Sequence, residues 1–418
     1  MLLGANRGWV RGRRDRLAQS LAARYAPPPM FESIKRFRRE RADKQRFKAL
    51  PDAEREIVFY AEGPQDWPHF APIVEHLTGP LGRSLCYLTS AEDDPLLSSD
   101  NPRIRPFCIG SGSVRTILFR EIQATVFVMT LPDLETYHLK RSAYPVHYAY
   151  LFHSINSTHM VYRKGAFDAY DTILCVGPHH VDEIRKTEAV YGLKPKTLLE
   201  HGYGRLDAVL EQAGSFPEPD PIARRHVLLA PSWGECSFIE TALGEQLIRV
   251  LLAVGWRVTL RLHPMTVRHH PALVDDLERQ FPERDDFRVV TDMKEQASLH
   301  TSHIMISDWS GASYEYAYGR GRPVLFVNTT PKINNPEYEK IALTPREFAI
   351  RDEVGDVLQP DQLDRAVEKI ERLCADPGAF RERIMDSLRK WVFNVGESGK
   401  VGAEIIAGLA DREGEADG

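Results

Sequence analysis

HIMISDWSGASYEYAYG, residues 303–319, decides the fold. The short apolar run Ile304 to Ile306 reads as a buried strand. Ser307-Asp308-Trp309-Ser310-Gly311-Ala312-Ser313 follows, ahead of a helix-like stretch that Gly319 is expected to close. A strand that ends in such a turn and feeds a helix offers hydroxyls and unpaired backbone N–H groups to a phosphate. Ser and Asp are also ordinary helix caps, and the segment alone leaves both readings open.

The same alternation recurs on both sides of this stretch. RPVLFVNTT follows it, and HVLLAPSW, WRVTLRLHP and FRVV precede it, with FIETALGEQLIRVLLAVG and PALVDDLERQF as amphipathic helices between them. A polar break with three prolines, EQAGSFPEPDPIARR (211–225), reads as a linker. Before it, EIVFYAE, GRSLCYLT, IRPFCIG, ATVFVMTL, HYAYLFH, DTILCVG and KTLLEHGYG form a second series of strands. Short apolar strands separated by helices imply parallel sheets covered on both faces. The predicted class is α/β: two Rossmann-like doubly wound domains facing across a cleft. The expected boundaries are a basic helical arm at 1–54, a first domain at 55–210, the linker at 211–225, a second domain at 226–395, and a C-terminal helix with an unstructured tail at 396–418.

Ligands of open α/β sheets bind beyond the carboxyl ends of the strands. Four such ends carry polar residues: His153-Ser154, the turn His201 to Asp207, Arg261-Leu262-His263-Pro264, and Ser307 to Ser313. A strand-end histidine can move a proton or bind a phosphate near neutral pH. Taken singly, His153 and His263 read equally as satisfied, half-buried histidines. As a pair, one in each half, they point to chemistry, one as base on an acceptor hydroxyl and the other on a leaving phosphate. Arg205 reads either as a bidentate phosphate clamp or as an interdomain salt bridge. Trp233 is a weaker candidate. Asp308 can touch a divalent ion, but a structural cap is favoured. The pairs His179-His180 and His269-His270 are expected at the surface. Neither G-x-x-x-x-G-K-[ST] nor G-x-G-x-x-G is present, which argues against P-loop ATP hydrolysis and dinucleotide binding.

The net charge of −5 hides an asymmetry. Residues 1–50 hold 14 Lys/Arg against 4 Asp/Glu. Such an arm suits an anionic membrane surface or is simply a solvated leader. Nucleic acid is not expected as a partner, since no recognised nucleic-acid fold accompanies the charge. The N-terminus lacks the apolar core of a signal peptide, so the expected location is cytoplasmic, with peripheral attachment to the inner face of the membrane through the arm. Five scattered cysteines without C-x-x-C argue against disulfides and zinc, and Cys86, Cys108 and Cys175 read as buried inert thiols.

In order along the chain, these strand ends resemble the CDP-glycerol glycerophosphotransferase family of the teichoic-acid polymerase type. The resemblance rests on the strand-end His153, on Gly202-Tyr203-Gly204-Arg205-Leu206-Asp207, on Ala230-Pro231-Ser232, on Arg261-Leu262-His263-Pro264, and on Ser307 to Ser310 followed by Arg322-Pro323-Val324. It covers roughly residues 120–345. Two departures bear on donor and acceptor. Phe152-His153-Ser154 stands where the family reads Trp-His-Gly, and Gly311 replaces the last serine of Ser-Asp-x-Ser-Ser. The resemblance implies the two-lobed glycosyltransferase-B fold, with an acceptor lobe first and a nucleotide-donor lobe second. It implies transfer of a phosphoalditol from CDP-glycerol to a glycan or lipid-linked hydroxyl, with CMP released and no tightly bound cofactor. His153 would be the base. His263, Arg205, Ser232, Arg261, Ser307, Asp308, Ser310, Gly311 and Ser313 would serve the donor phosphates. A nucleotide-sugar glycosyltransferase on the same fold, and a non-catalytic glycan- or protein-binding relative, remain the alternatives.

Overall fold

The computed structural model describes residues 30–220, 223–292 and 295–416. The apolar runs of the first half become seven parallel strands: β1 (Ile57–Ala61), β2 (Leu85–Thr89), β3 (Ile104–Cys108), β4 (Val126–Met129), β5 (His147–Leu151), β6 (Thr172–Cys175) and β7 (Thr197–Glu200). Their order is β3-β2-β1-β4-β5-β6-β7. The second half builds a six-stranded parallel sheet from β8 (His226–Leu229), β9 (Arg257–Arg261), β10 (Phe287–Val290), β11 (Ile304–Ser307), β12 (Val324–Val327) and β13 (Gly355–Leu358). Its order is β10-β9-β8-β11-β12-β13. The inner strands β1, β2, β4, β6, β8, β11 and β12 are buried throughout, because helices cover both faces.

Strand order reverses between β1 and β4 in the first sheet and between β8 and β11 in the second. The crevice beyond the carboxyl ends at such a reversal is where this architecture binds ligands. Each lobe therefore offers one crevice, and the two are brought together by close packing. Helix Gly204–Ala213 of the first lobe lies against helix Ala312–Arg320 of the second. A Cβ on Gly319 would sit 2.4 Å from Val209 Cγ1, so only glycine allows that approach. This corrects the expectation that Gly319 ends the helix. Gly321, at φ 59°, is its left-handed cap.

The C-terminal helix Ser398–Ala416 returns to the first lobe. Ala403, Ile406 and Leu409 join Ile73, Val74 and Leu77 in one buried cluster. Gly399 and Gly402 allow the contact, since Cβ atoms there would lie 2.7 Å from Pro72 Cβ and from His201 Nε2. Asp207 anchors the start of this helix by accepting N–H bonds from Gly396 (2.7 Å) and Ser398 (2.9 Å). The tail, expected to be unstructured, continues as helix through Ala416.

Residues 1–29 of the basic arm lie outside the described residues. Its second half is helix Met30–Lys48, which docks on the first lobe. Phe47 is fully buried edge-on against Phe107, and Asp43 Oδ2 accepts the Cys108 N–H at 2.9 Å.

Candidate active site between the lobes

His153 stands two residues beyond β5. Its Nδ1 lies 3.2 Å from the Thr130 carbonyl at the end of β4. A carbonyl only accepts, so Nδ1 carries the hydrogen and Nε2 keeps its lone pair. Burial holds His153 below its usual pKa and favours the neutral ring. His69, two residues into the helix Trp67–Thr78, places its ring 6.2 Å from His153 and 5.7 Å from Tyr203. Its Nδ1 is buried without a partner. Burial, with His153 and Arg205 nearby, pushes its pKa well down.

The loop after His153 faces the second lobe. A Cβ on Gly311 would meet Ser154 Oγ at 3.5 Å and Asn156 Oδ1 at 3.7 Å, so the gap between the lobes is narrow here. Deeper in the cleft, the Tyr203 hydroxyl lies 3.1 Å from both the His153 carbonyl and Glu315 Oε1. Arg205 Nε is 2.7 Å from Glu315 Oε1, and that carboxylate raises the Arg205 pKa. Of the two roles open to Arg205, the interlobe salt bridge is formed.

In the second lobe the reversal between β8 and β11 is tied by Asp308. Its Oδ1 accepts the N–H of Ser232 (2.7 Å) and of Trp309 (2.6 Å), and its Oδ2 accepts the N–H of Phe238 (3.1 Å). Burial raises its pKa. Asp308 thus joins the two loops, and both its oxygens are occupied. Among the described residues, no group of three His, Cys, Asp or Glu could hold a metal ion.

Two hydroxyls of the same turn are also committed to the protein. Ser307 Oγ donates to the Ala230 carbonyl (2.7 Å) and Ser313 Oγ to the Ser310 carbonyl (2.8 Å). Ser232 is buried, its N–H taken by Asp308 and its carbonyl by Ser237 Oγ. Arg261 is buried against Glu295, 3.3 Å from its carboxylate. Ser310 is buried too, its Oγ accepting the Ala312 N–H at 3.3 Å, while Gly311 faces Ser154 and Asn156 across the gap, ahead of the helix N-terminus.

His263 caps helix Pro264–His269, its Nδ1 accepting the Met265 N–H at 3.1 Å. In the neutral ring the hydrogen is therefore on Nε2. Burial, with the Lys332 charge adding to it, lowers its pKa to about 4. Trp233 lies 6.1 Å from the His263 ring, and Lys332 Nζ is 3.7 Å from the Trp233 centroid. This wall of indole, imidazole and ammonium borders the ends of β8, β9 and β12.

Residues 153–332 match the family model described as CDP-glycerol:poly(glycerophosphate) glycerophosphotransferase. Over that segment the chain is similar to the glycerophosphotransferases. The matched segment begins at His153 and ends at Lys332, so it takes in His153, Tyr203, Trp233 and His263 but not His69 or Thr130. The structure of the wall teichoic acid polymerase TagF superposes with a TM-score of 0.57 at 14% identity, covering 90% of this chain and 95% of that one. A TagF variant soaked with CDPG matches with the same TM-score and identity over 97% and 98%. The UDP-GlcNAc 2-epimerase of Neisseria meningitidis, bound to UDP-GlcNAc, gives 0.53 at 10% identity over 84% and 99%. At these identities the structures share the fold. No curated protein matches the chain by sequence.

His179 and His180, expected at the surface, are buried, because their rings bond the carbonyls of Ile155 and Asn156. His269 and His270 are exposed. His69, Asn156, Glu315 and Lys332 were not singled out from the sequence. The signal for His69 was present, since Asp66-Trp67-Pro68-His69 follows β1 at another strand end.

Proposed function

We propose that this glycerophosphotransferase-like enzyme transfers glycerophosphate, or a related phosphoalditol, from a CDP-activated donor to a hydroxyl of a cell-surface glycan or membrane-linked acceptor, releasing CMP. The observation that carries the reading is the family match over residues 153–332, which takes in both strand-end histidines. That TagF has been studied with CDPG agrees with a cytidine donor.

The acceptor oxygen attacks the outer phosphorus of the donor. That P–O bond forms as the bridging P–O bond breaks, and the electron pair leaves with CMP. The acceptor proton goes to His153 Nε2, free because Nδ1 is bound to Thr130. Nε2–H of His263 and the N–H groups at Ser310 and Gly311 stabilise the charge that gathers on the pyrophosphate oxygens. Positioning and charge stabilisation supply most of the acceleration in such transfers. Trp233, with Lys332 on its face, lines the donor side of the cleft. Helix Met30–Lys48 leaves Ile34 and Phe37 exposed among Lys35, Arg36, Arg38, Arg39 and Arg41, a face suited to an anionic membrane surface.

The test is a thermal-shift titration against CMP, CDP, UDP, GDP and CDP-glycerol, with CMP release as the assay of turnover. A ligand at a hundredfold excess over its Kd stabilises the fold by about 2.7 kcal/mol. A response to the cytidine compounds that weakens in His263→Ala and Ser310→Ala is expected. A response to UDP or GDP instead would make the enzyme a nucleotide-sugar glycosyltransferase, and silence toward all five would favour a non-catalytic binding role.

A further inference from the structure

His179 and His180 open helix Pro178–Tyr191, yet neither faces solvent. His179 Nε2 is 2.8 Å from the Ile155 carbonyl, and His180 Nε2 is 2.9 Å from the Asn156 carbonyl. His180 Nδ1 accepts the Val176 N–H at 3.3 Å. With a backbone donor on one nitrogen and a backbone acceptor on the other, the His180 tautomer is fixed. Its ring packs on Phe152, centroids 3.9 Å apart. One turn on, Glu183 accepts both the N–H and the hydroxyl of Thr158. The helix start is itself pinned, since a Cβ on Gly177 would lie 1.9 Å from the Trp391 carbonyl.

The segment held in this way is the one that follows His153. It brings Ser154 and Asn156 to Gly311, and it sends the Ser157 N–H to Glu347 Oε1 of the second lobe at 2.8 Å. Two consecutive carbonyls grasped from one side leave those peptide planes little freedom to rotate. We infer that His179 and His180 are positioning residues: they fix the 155–157 peptides, and through them the loop that carries His153 and faces the donor turn. The inference rests on the reading above that His153 acts in this cleft. A displacement of about 1 Å in such a loop can cost on the order of a hundredfold in rate.

The test compares His179→Phe and His180→Phe, which keep a ring but lose the N–H, with His179→Gln and His180→Gln, which restore a donor. Amide hydrogen exchange at Ser157 and Thr158 reads the loop directly and needs no substrate. CMP release from CDP-glycerol, per folded protein, reads its effect on turnover, with His153→Ala as reference. Faster exchange at those two amides is expected in the Phe variants, with kcat down roughly 10- to 100-fold and donor KM changed by no more than about threefold. The Gln variants should recover most of both. Folded Phe variants with wild-type exchange, or with wild-type kcat whatever the exchange, would overturn the inference. If the wild type releases no CMP, or if His153→Ala matches it, the proposed function fails and exchange alone decides the role of the two histidines.

Discussion

His153 and His263 are each the first histidine beyond a strand, one per lobe, yet their rings are wired in opposite senses. His153 gives its Nδ1 hydrogen to the Thr130 carbonyl, and His263 takes the Met265 N–H on the same atom. One ring therefore offers a lone pair at Nε2 and the other a hydrogen. Burial keeps both neutral at pH 7. The backbone neighbour, more than the residue type, sets what each ring offers, which in the proposed reaction is an acceptor for the proton in the first lobe and a donor to a phosphate oxygen in the second.

The largest effect that can break this comparison is loss of the lone pair. His153→Ala is expected to lower kcat by about 10³- to 10⁴-fold with the fold intact, as CMP release and circular dichroism would check. A variant within tenfold of wild type would end the assignment of a base there. Next comes the opposite wiring. His263→Asn keeps a capping oxygen for Met265 but shortens the donor's reach, so kcat should fall by roughly 10²-fold while thermal stability stays near wild type. Equal losses of activity and stability would mean that His263 is a cap alone.

Titration sharpens the contrast. The His153 pKa lies below the usual 6.5, so the basic form persists as pH falls past that value, and kcat/KM should drop only at lower pH. An acid limb at or above 6.5 that vanishes in His153→Gln would contradict the buried, neutral ring. His180 provides a stability counterpart. The unfolded chain takes up its proton near 6.5 and the folded protein only near 4. The stability it contributes is complete above 6.5 and is lost as pH falls toward 4, by at most about 1.4 kcal/mol per pH unit. Urea unfolding of wild type against His180→Gln should show that slope in their difference. The smallest effect is expected at Gly311→Ala. Its new Cβ would make only ordinary contacts with Ser154 and Asn156, so kcat should change less than about tenfold.

The two-lobed fold was legible because buried parallel strands write themselves as unbroken apolar runs, as in IVFYA and VLFV. The strand-end histidines were legible for the same reason, since polar residues stand out where such a run stops. Edge strand β13 was not, because GDVL is only partly buried and reads as loop. The tandem His179-His180 reads as polar surface until the loop that returns over it is known. Ser307, Asp308 and Ser313 look like ligand groups in sequence because a loop uses the same chemistry to bond itself. Only geometry shows that the Asp308 carboxylate already holds three N–H groups.

The return of helix Ser398–Ala416 to the first lobe sets the order of synthesis against the order of completion. A ribosome delivers β7 more than two hundred residues before it finishes that helix, a delay of roughly 10–40 s at ordinary elongation rates. Throughout that interval Ile73, Val74 and Leu77 lack the apolar face that covers them in the finished protein. The first lobe to emerge is thus the last to be sealed, and a nascent chain stalled anywhere in the second lobe would present this patch to chaperones.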